Sequence, residues 1–153
     1  MGKDVVVWGT GNVGRPAVRS VVANKDLNLS GVLVYNPEKV GKDAGELAGI
    51  EPTGVIATDN ISVVFDDQVD AVVYAVNADF RPMESLDEAE KLLRSGKNVV
   101  TSSFYSLYHP PSMPEDLADR FTNACVEGNA SIFASGIDPG WTCDILPLLL
   151  AGV

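Results

Sequence analysis

The stretch Val5-Val6-Val7-Trp8-Gly9-Thr10-Gly11-Asn12-Val13-Gly14 decides the fold of this 153-residue chain. An apolar run enters a Gly-x-Gly-x-x-Gly turn, and residues with helical spacing follow at once. Gly9 permits the tight turn, Gly11 lets a diphosphate approach the backbone, and Gly14 lets the helix pack on the strand. The free amides and the positive end of the helix dipole then face an anion. The sequence predicts a dinucleotide-binding turn, and the alternative is a glycine-rich turn that binds nothing.

The composition is that of an ordinary globular protein with one core. Hydrophobic residues make up 46% and charged residues 21% of the chain. No apolar stretch is long enough to span a bilayer, and the sequence predicts no signal peptide. The net charge of −10, with scattered Lys and Arg, argues against nucleic-acid and anionic-membrane partners. Two cysteines and one histidine argue against a metal site and favour reduced thiols in the cytoplasm.

Strand and helix patterns alternate along the whole chain. The strand patterns lie at residues 4–8, 29–35, 54–57, 70–76, 98–102 and 130–134. The helix patterns lie at residues 13–22, 38–48, 59–65, 85–95, 112–128 and from about Trp141 onward, and the fourth and fifth open on the capping boxes Ser85–Glu88 and Ser112–Glu115. This alternation predicts an α/β doubly wound parallel sheet of the Rossmann type, with six strands in the order 3-2-1-4-5-6.

The end of the second strand bears on the choice of cofactor. It continues as Tyr35-Asn36-Pro37-Glu38-Lys39. An acidic side chain at the strand end would repel the 2′-phosphate of NADP, but Tyr35 and Asn36 are uncharged and Lys39 is within reach of a phosphate. The sequence therefore predicts NADP or NAD as cofactor, with NADP favoured. Glu38 argues against that preference, and both charged residues are otherwise explained as a solvated first turn.

Two later loops are expected near the nicotinamide. Asn77, after the fourth strand, is either a hydrogen-bonding residue for the nicotinamide ribose or a turn former. The loop from Thr101 to Ser112 holds Tyr105 and His109, either of which could act as a general acid. We favour the alternative that this is a structured surface loop. Because it contains no carboxylate, the sequence supports no acid–base pair there and no catalytic residue is assigned.

Four segments together resemble one group of reductases. They are Val-Val-Trp-Gly-Thr-Gly-Asn-Val-Gly-Arg (6–15), Asn-Pro-Glu-Lys-Val-Gly-Lys-Asp-Ala-Gly-Glu-Leu (36–47), Ser-Gly-Lys-Asn-Val-Val (95–100) and Ser-Gly-Ile-Asp-Pro-Gly-Trp-Thr-Cys-Asp-Ile-Leu-Pro-Leu (135–148). The group is that of dihydrodipicolinate-reductase-like proteins, which includes 2,4-diaminopentanoate dehydrogenase and the native amine dehydrogenases. The resemblance covers nearly the whole chain, and its last segment is the most specific because ordinary Rossmann domains lack it.

The resemblance implies an N-terminal NAD(P)-binding domain followed by a substrate and oligomerisation domain. It implies hydride transfer between nicotinamide and a small imine, amine or related substrate. By position it assigns the phosphate loop, the adenosine-ribose end and the nicotinamide side. These assignments fall on Gly9, Thr10, Gly11, Asn12, Val13 and Gly14, on Tyr35 and Asn36, and on Ser102 and Ser103, respectively.

The chain departs from this family pattern in two ways. It is shorter than such proteins, and its loop after the fifth strand lacks the glutamate that is catalytic in the amine dehydrogenases. We expect residues 1–153 to be the cofactor domain of a longer oxidoreductase, without its substrate domain and inactive alone. The alternative is a dinucleotide-sensing or scaffold module that acts through oligomerisation without catalysis. The apolar residues near the C-terminus favour a homo-oligomer in either case.

Overall fold

Five parallel strands form one sheet in the computed structural model, which describes residues 2–152, with only the backbone of Pro139. In chain order they are β1 (Lys3–Trp8), β2 (Leu27–Leu33), β3 (Ala71–Tyr74), β4 (Asn98–Thr101) and β5 (Ile132–Ala134). Their order across the sheet is β2-β1-β3-β4-β5, so β1 lies between β2 and β3. The valine run of β1 is buried because both faces of the sheet are covered, as expected for a parallel sheet.

The prediction of a sixth strand was wrong. Residues 54–57 form no strand, and the sheet order is therefore 2-1-3-4-5 rather than 3-2-1-4-5-6. The segment pairs instead with the preceding loop, where Ala44 N donates to Val55 O (2.8 Å) and Gly41 N donates to Ala57 O (2.8 Å). Only an isolated parallel bridge between Leu33 and Thr58 reaches β2, on the edge where the extra strand was expected. The order of the other strands agrees with the prediction.

The described part of the chain contains five α-helices. They are α1 (Gly14–Ala23), α2 (Ala44–Ala48), α3 (Pro82–Arg94), α4 (Glu115–Gly128) and α5 (Leu146–Ala151). The helix expected over residues 38–48 is only a 3-10 turn, Pro37–Lys39, followed by the short α2, because the Asp43 carboxylate accepts from Gly45 N (2.6 Å) and starts α2 late. No helix within residues 2–152 combines the length and the apolar character needed to cross a membrane.

Neither predicted capping box forms. The structure begins α3 at Pro82, so Ser85 lies inside the helix and is buried, and Glu88 turns toward two tyrosines. The Ser112 hydroxyl lies 2.7 Å from His109 Nδ1, and α4 begins at Glu115 after Pro114. Glu88 and Ser112 thus have tertiary or loop partners that sequence spacing does not reveal, and the buried Ser85 hydroxyl finds no hydrogen-bond partner among the described residues.

The C-terminal helix also differs from the prediction. A π-helix, Ile137–Ile145, precedes α5, and its bond from Trp141 N to Gly136 O (3.0 Å) spans five residues. Pro147, at the start of α5, has no amide hydrogen to continue the π pattern. The expected single helix from Trp141 is therefore two helices of different pitch, and the first begins earlier.

The core has one apolar cluster on each side of the sheet. An aromatic chain crosses one cluster from Trp8 to Tyr74, Phe104 and Phe121, with ring centroids 5.2, 5.6 and 6.3 Å apart in that order. The other cluster holds Val18 and Val21 of α1 against the valines of β1 and β2. Val22 of the same helix and Val13 at its N-cap are 44% and 50% exposed.

Candidate functional site

The turn after β1 has the geometry that its three glycines predict. Gly9 has a left-handed φ of 100°, and a Cβ there would lie 2.9 Å from the carbonyl oxygen of Ala75. A Cβ on Gly14 would collide with the carbonyl of Gly9, so any side chain would force α1 away from β1. A Cβ on Gly11 would meet nothing within 4 Å, because this residue faces open space. Gly9 and Gly14 are thus structural, and Gly11 is exposed to whatever occupies the turn.

The start of α1 presents unpaired donors to that open space. The first bond into the helix runs from Arg15 N to Gly11 O (3.1 Å), and within residues 2–152 the amides of residues 11–14 donate to no acceptor. The helix has no side-chain cap at Val13 and no acidic residue in its first turn. The positive end of the helix dipole is therefore uncompensated, which is the electrostatic requirement for an anion site.

A cavity of about 500 Å³ opens over the turn at the carboxyl ends of β1, β3 and β4. Its volume lies in the usual range for small-molecule and cofactor sites. Eight of the twelve predicted cofactor residues line it, namely Gly9, Gly11, Asn12, Val13, Tyr35, Asn77, Ser102 and Ser103. The structure thus gathers residues from four separate parts of the chain at the carboxyl ends of the neighbouring strands β1 and β3, where parallel sheets of this type bind their ligands.

The four predicted residues that do not line the cavity lie in the turn after β1 or in the turn after β2. Gly14 is buried, and Thr10, only 4% exposed, accepts two hydrogen bonds from Lys39 Nζ, at its carbonyl oxygen (2.9 Å) and at Oγ1 (3.1 Å). Asn36 does not line the cavity, since its side-chain oxygen accepts from Glu38 N (2.9 Å) and caps the turn after β2. Lys39 is therefore held by the turn after β1, residues 9–14, which we call the phosphate turn. Its positive charge lies beside the cavity.

A cluster that the sequence did not reveal lies at the Tyr35 end of the cavity. The Glu88 carboxylate accepts from Tyr35 Oη (2.9 Å), Tyr74 Oη (2.6 Å) and Arg81 Nη2 (2.6 Å), and the Arg81 guanidinium lies 5.0 Å above the Tyr35 ring. Burial, followed by the Glu88 hydrogen bond, raises the pKa of Tyr74, and burial is also the main cause that raises the pKa of Tyr35. One signal was present in the sequence: Arg81 and Glu88 are seven residues apart, two helical turns, and so face the same way.

The loops after β3 and β4 use most of their polar side chains internally. Asn77 lines the cavity and also accepts from Asp79 N (3.0 Å), so its turn-forming role is present in the structure. Ser103 Oγ donates to Val76 O (2.6 Å) and thereby ties the two loops together. Among the described residues no group of three or more His, Cys, Asp or Glu side chains gathers as a metal site.

The two general-acid candidates of the loop after β4 separate. Tyr105 is 61% exposed and lines the cavity, whereas His109 does not line it and its Nδ1 lies 2.7 Å from Ser112 Oγ. A second cavity of about 450 Å³ lies beyond Tyr105, at the carboxyl ends of β4 and β5. It shares Asn12, Val13, Ser102 and Tyr105 with the first, so the two cavities are neighbours along the same edge of the sheet.

These features define a Rossmann-type α/β domain in which the start of α1 presents unpaired amides at the switch point of the parallel sheet. The family model described as dihydrodipicolinate reductase, N-terminus, matches residues 3–103, which is more than half of the chain. The chain belongs to this family and is an NAD(P)-binding domain of the dihydrodipicolinate-reductase-like group, as the resemblance implied.

Similar proteins support this assignment and differ from the chain in length. An amine dehydrogenase of Streptomyces virginiae is 50% identical over 149 residues, covering 97% of this chain and 41% of the relative. A 4-hydroxy-tetrahydrodipicolinate reductase of Gloeobacter violaceus is 30% identical over 126 residues, covering 80% of this chain and 45% of the relative. The chain thus spans less than half the length of either protein.

Solved structures show the same fold. An amine dehydrogenase from Mycobacterium smegmatis superposes with a TM-score of 0.75 at 24% identity, over 89% of this chain and 40% of that one. A 3-ketoreductase variant from Actinomadura kijaniata, solved in complex with TDP-benzene and NADP, superposes with a TM-score of 0.67 at 17% identity, over 99% of this chain and 44% of that one. At these identities the similarity establishes the fold alone.

Proposed function

We propose that residues 1–153 form the cofactor domain of a longer, NADP(H)-dependent oxidoreductase that transfers hydride between nicotinamide and a small imine or amine. The observation that carries this proposal is the set of unpaired amides at residues 11–14, of which residues 11–13 line a cavity of cofactor size. The cofactor carries the hydride, and the chain holds it and orients its ring. The names of the amine dehydrogenase and dihydrodipicolinate reductase relatives support imine or amine chemistry.

In this proposal the diphosphate binds the amides of residues 11–14, and the two halves of the cofactor extend along the cavity in opposite directions. The adenosine extends toward Tyr35, at the end of β2. The nicotinamide extends toward Ser102 and Tyr105, beyond β3. The direction follows from the sheet order, because β2 lies on one side of the phosphate turn and β4 on the other.

The preference for NADP rests on charge at the Tyr35 end. Lys39 is held on Thr10 at 2.9 Å and lies beside the expected position of the 2′-phosphate, whereas the Arg81 guanidinium over the Tyr35 ring is paired with Glu88 at 2.6 Å. Tyr35 and Asn36, the second and third residues after β2, are uncharged. Coulomb attraction between the Lys39 ammonium and a phosphate dianion therefore favours NADP over NAD.

Fluorescence titration of NADPH and NADH into the chain tests the proposal. We expect micromolar binding of NADPH and weaker binding of NADH. Lys39→Ala should weaken NADPH binding by about tenfold and NADH binding much less, because only the former loses a charge-assisted contact. Lys42→Ala is the matched control, since Lys42 is an exposed lysine of the same loop with no role in the cavity.

Each outcome of that titration has a defined meaning. If neither nucleotide binds to the folded chain, the cofactor proposal fails and the scaffold alternative gains. If both nucleotides bind equally and Lys39→Ala affects them equally, the cofactor proposal stands but the NADP preference fails. Hydride transfer by a longer version of the protein, absent from this chain, would support the proposed domain division.

Self-association and a cytoplasmic location complete the proposal. Along the C-terminal helices, apolar side chains are half to mostly exposed, including those of Trp141, Ile145, Leu148, Leu149 and Leu150. Such a surface favours burial against another protein surface. Sedimentation velocity of the chain checks this, and a monomer at high concentration would contradict self-association. The cytoplasmic location is supported by Cys125 and Cys143, which are unpaired thiols.

A further inference from the structure

The second cavity has one charged residue in its described lining. Its wall is apolar where Pro16, Phe104 and Ile137 contribute, and among the described lining residues no lysine, arginine or histidine appears. Asp138, at the start of the π-helix, is the charged residue. The cavity therefore combines a hydrophobic wall with a single negative charge, which suits a small cation with an apolar substituent.

The Asp138 carboxylate is held by its own helix. Cys143 Sγ donates to Asp138 Oδ1 at 3.1 Å, five residues along the π-helix. This hydrogen bond is the main cause that raises the pKa of the Cys143 thiol, so the thiol stays protonated and remains a donor. The second carboxylate oxygen accepts no hydrogen bond from the residues described. One oxygen is thus oriented by the fold and the other is free to meet a ligand.

We infer that the second cavity binds a protonated amine or iminium group, and that Asp138 is the carboxylate that contacts its nitrogen. The inference rests on the proposed function, because the cavity adjoins the expected nicotinamide position through Ser102 and Tyr105. It also offers a carboxylate at a site whose neighbouring loop, Thr101 to Ser112, contains none. A charge-assisted hydrogen bond from nitrogen to carboxylate supplies specificity, and the apolar wall receives the substituent.

The cavity should discriminate by charge. A ligand of equal size with a carboxylate in place of the ammonium would face Asp138 with no cation to offset the repulsion. A neutral alcohol of that size keeps the apolar contact and loses only the ion pair. Pentylammonium, pentanoate and pentanol therefore form a matched series that separates hydrophobic binding from binding by Asp138.

Nitrogen-15 NMR titration of the 153-residue chain with this series, with and without saturating NADP⁺, tests the inference. Pentylammonium should shift the amides around the second cavity and bind at least about tenfold more tightly than pentanoate. Asp138→Asn should weaken pentylammonium binding by about tenfold and leave pentanol and NADP⁺ binding unchanged. Asp144→Asn is the matched control, because this carboxylate lies in the same π-helix but accepts from Tyr108 and does not line the cavity.

Two results would overturn the inference. One is a chain that binds NADP⁺ but shows no preference for pentylammonium over pentanoate. The other is an equal loss in both variants, since a general effect of negative charge would then explain the binding. If NADP⁺ itself does not bind, the proposed function fails, and the titration without cofactor still decides whether Asp138 forms a cation subsite.

Discussion

The phosphate turn, residues 9–14, lines the first cavity and the start of the C-terminal segment, residues 137–151, lines the second, but the two regions are built in opposite ways. The turn follows the fully buried Trp8, and Gly9 N donates to Leu33 O at 2.8 Å, so its backbone is fixed by the sheet. In the C-terminal segment, Ile137 is 73% and Leu150 79% exposed. Local glycine spacing is therefore enough to specify a site made of backbone amides. A site made of side chains depends in addition on the surfaces that pack against those side chains.

The largest expected effect breaks the turn itself. Gly14→Val places side-chain atoms against the Gly9 carbonyl, which cannot move because Gly9 is bonded to β2. We expect a loss of at least about 3 kcal/mol in the free energy of unfolding, and complete unfolding of the variant would also agree with this prediction. Urea unfolding followed by circular dichroism measures it. A variant as stable as the original chain would show that α1 does not pack on β1 as described.

The second prediction separates binding from stability in the same turn. Gly11→Ala adds a methyl group that meets nothing within 4 Å, so the free energy of unfolding should change by less than about 0.5 kcal/mol. The methyl group points into the space proposed for the diphosphate, and NADPH affinity should fall by about tenfold or more. Unfolding and NADPH titration are measured on the same preparation. A stable variant that binds NADPH normally would contradict the proposed position of the diphosphate.

How far the sequence predicts this molecule follows the same division. The turn and the central β1 follow from local glycine and valine patterns, and the relative order of the five strands follows from the alternation of strands and helices. The failures lie where a local pattern met a tertiary partner. Residues 54–57 paired with the loop before α2, and Glu88, expected to cap α3, was drawn to Tyr35 and Tyr74. Such partners are distant in sequence, and the local spacing of residues does not identify them.

A third prediction concerns this side-chain part of the site. Glu88→Gln keeps the shape of the residue but removes the charge that Arg81 and two tyrosine hydroxyls contact. We expect a loss of about 1–2 kcal/mol in the free energy of unfolding. NADPH affinity should fall by only about threefold, because Arg81 and Tyr35 lose their fixed geometry but remain in place. Thermal unfolding and NADPH titration provide the two measurements.

Glu84→Gln is the matched control for Glu88, since Glu84 is an exposed carboxylate in the first turn of the same helix. It should change neither quantity. If both variants change the free energy of unfolding and NADPH affinity alike, the Glu88 cluster contributes no more than an exposed surface charge. The site would then have no part whose stability depends on side-chain contacts, in contrast to the backbone of the phosphate turn.

The smallest effect is a pH dependence away from both cavities. Glu90 on α3 accepts from Arg120 Nε of α4 (2.6 Å) and from Arg94 Nε (2.9 Å), and the Arg120 hydrogen bond is the main cause that lowers the pKa of Glu90 from 4.5. Because the folded-state pKa is the lower one, the pair stabilises the fold above the unfolded pKa and ceases to do so as pH falls through the folded pKa. The stability difference between the original chain and Glu90→Gln should therefore be largest above about pH 5 and shrink toward about pH 3. Its size should stay below about 1 kcal/mol, since both side chains are partly exposed.

Urea unfolding across this pH range measures the difference, and a constant difference would mean that Glu90 packs against α4 without a charge contribution. If Glu90→Gln also leaves NADPH binding unchanged, the packing of α3 on α4 is independent of the cofactor site.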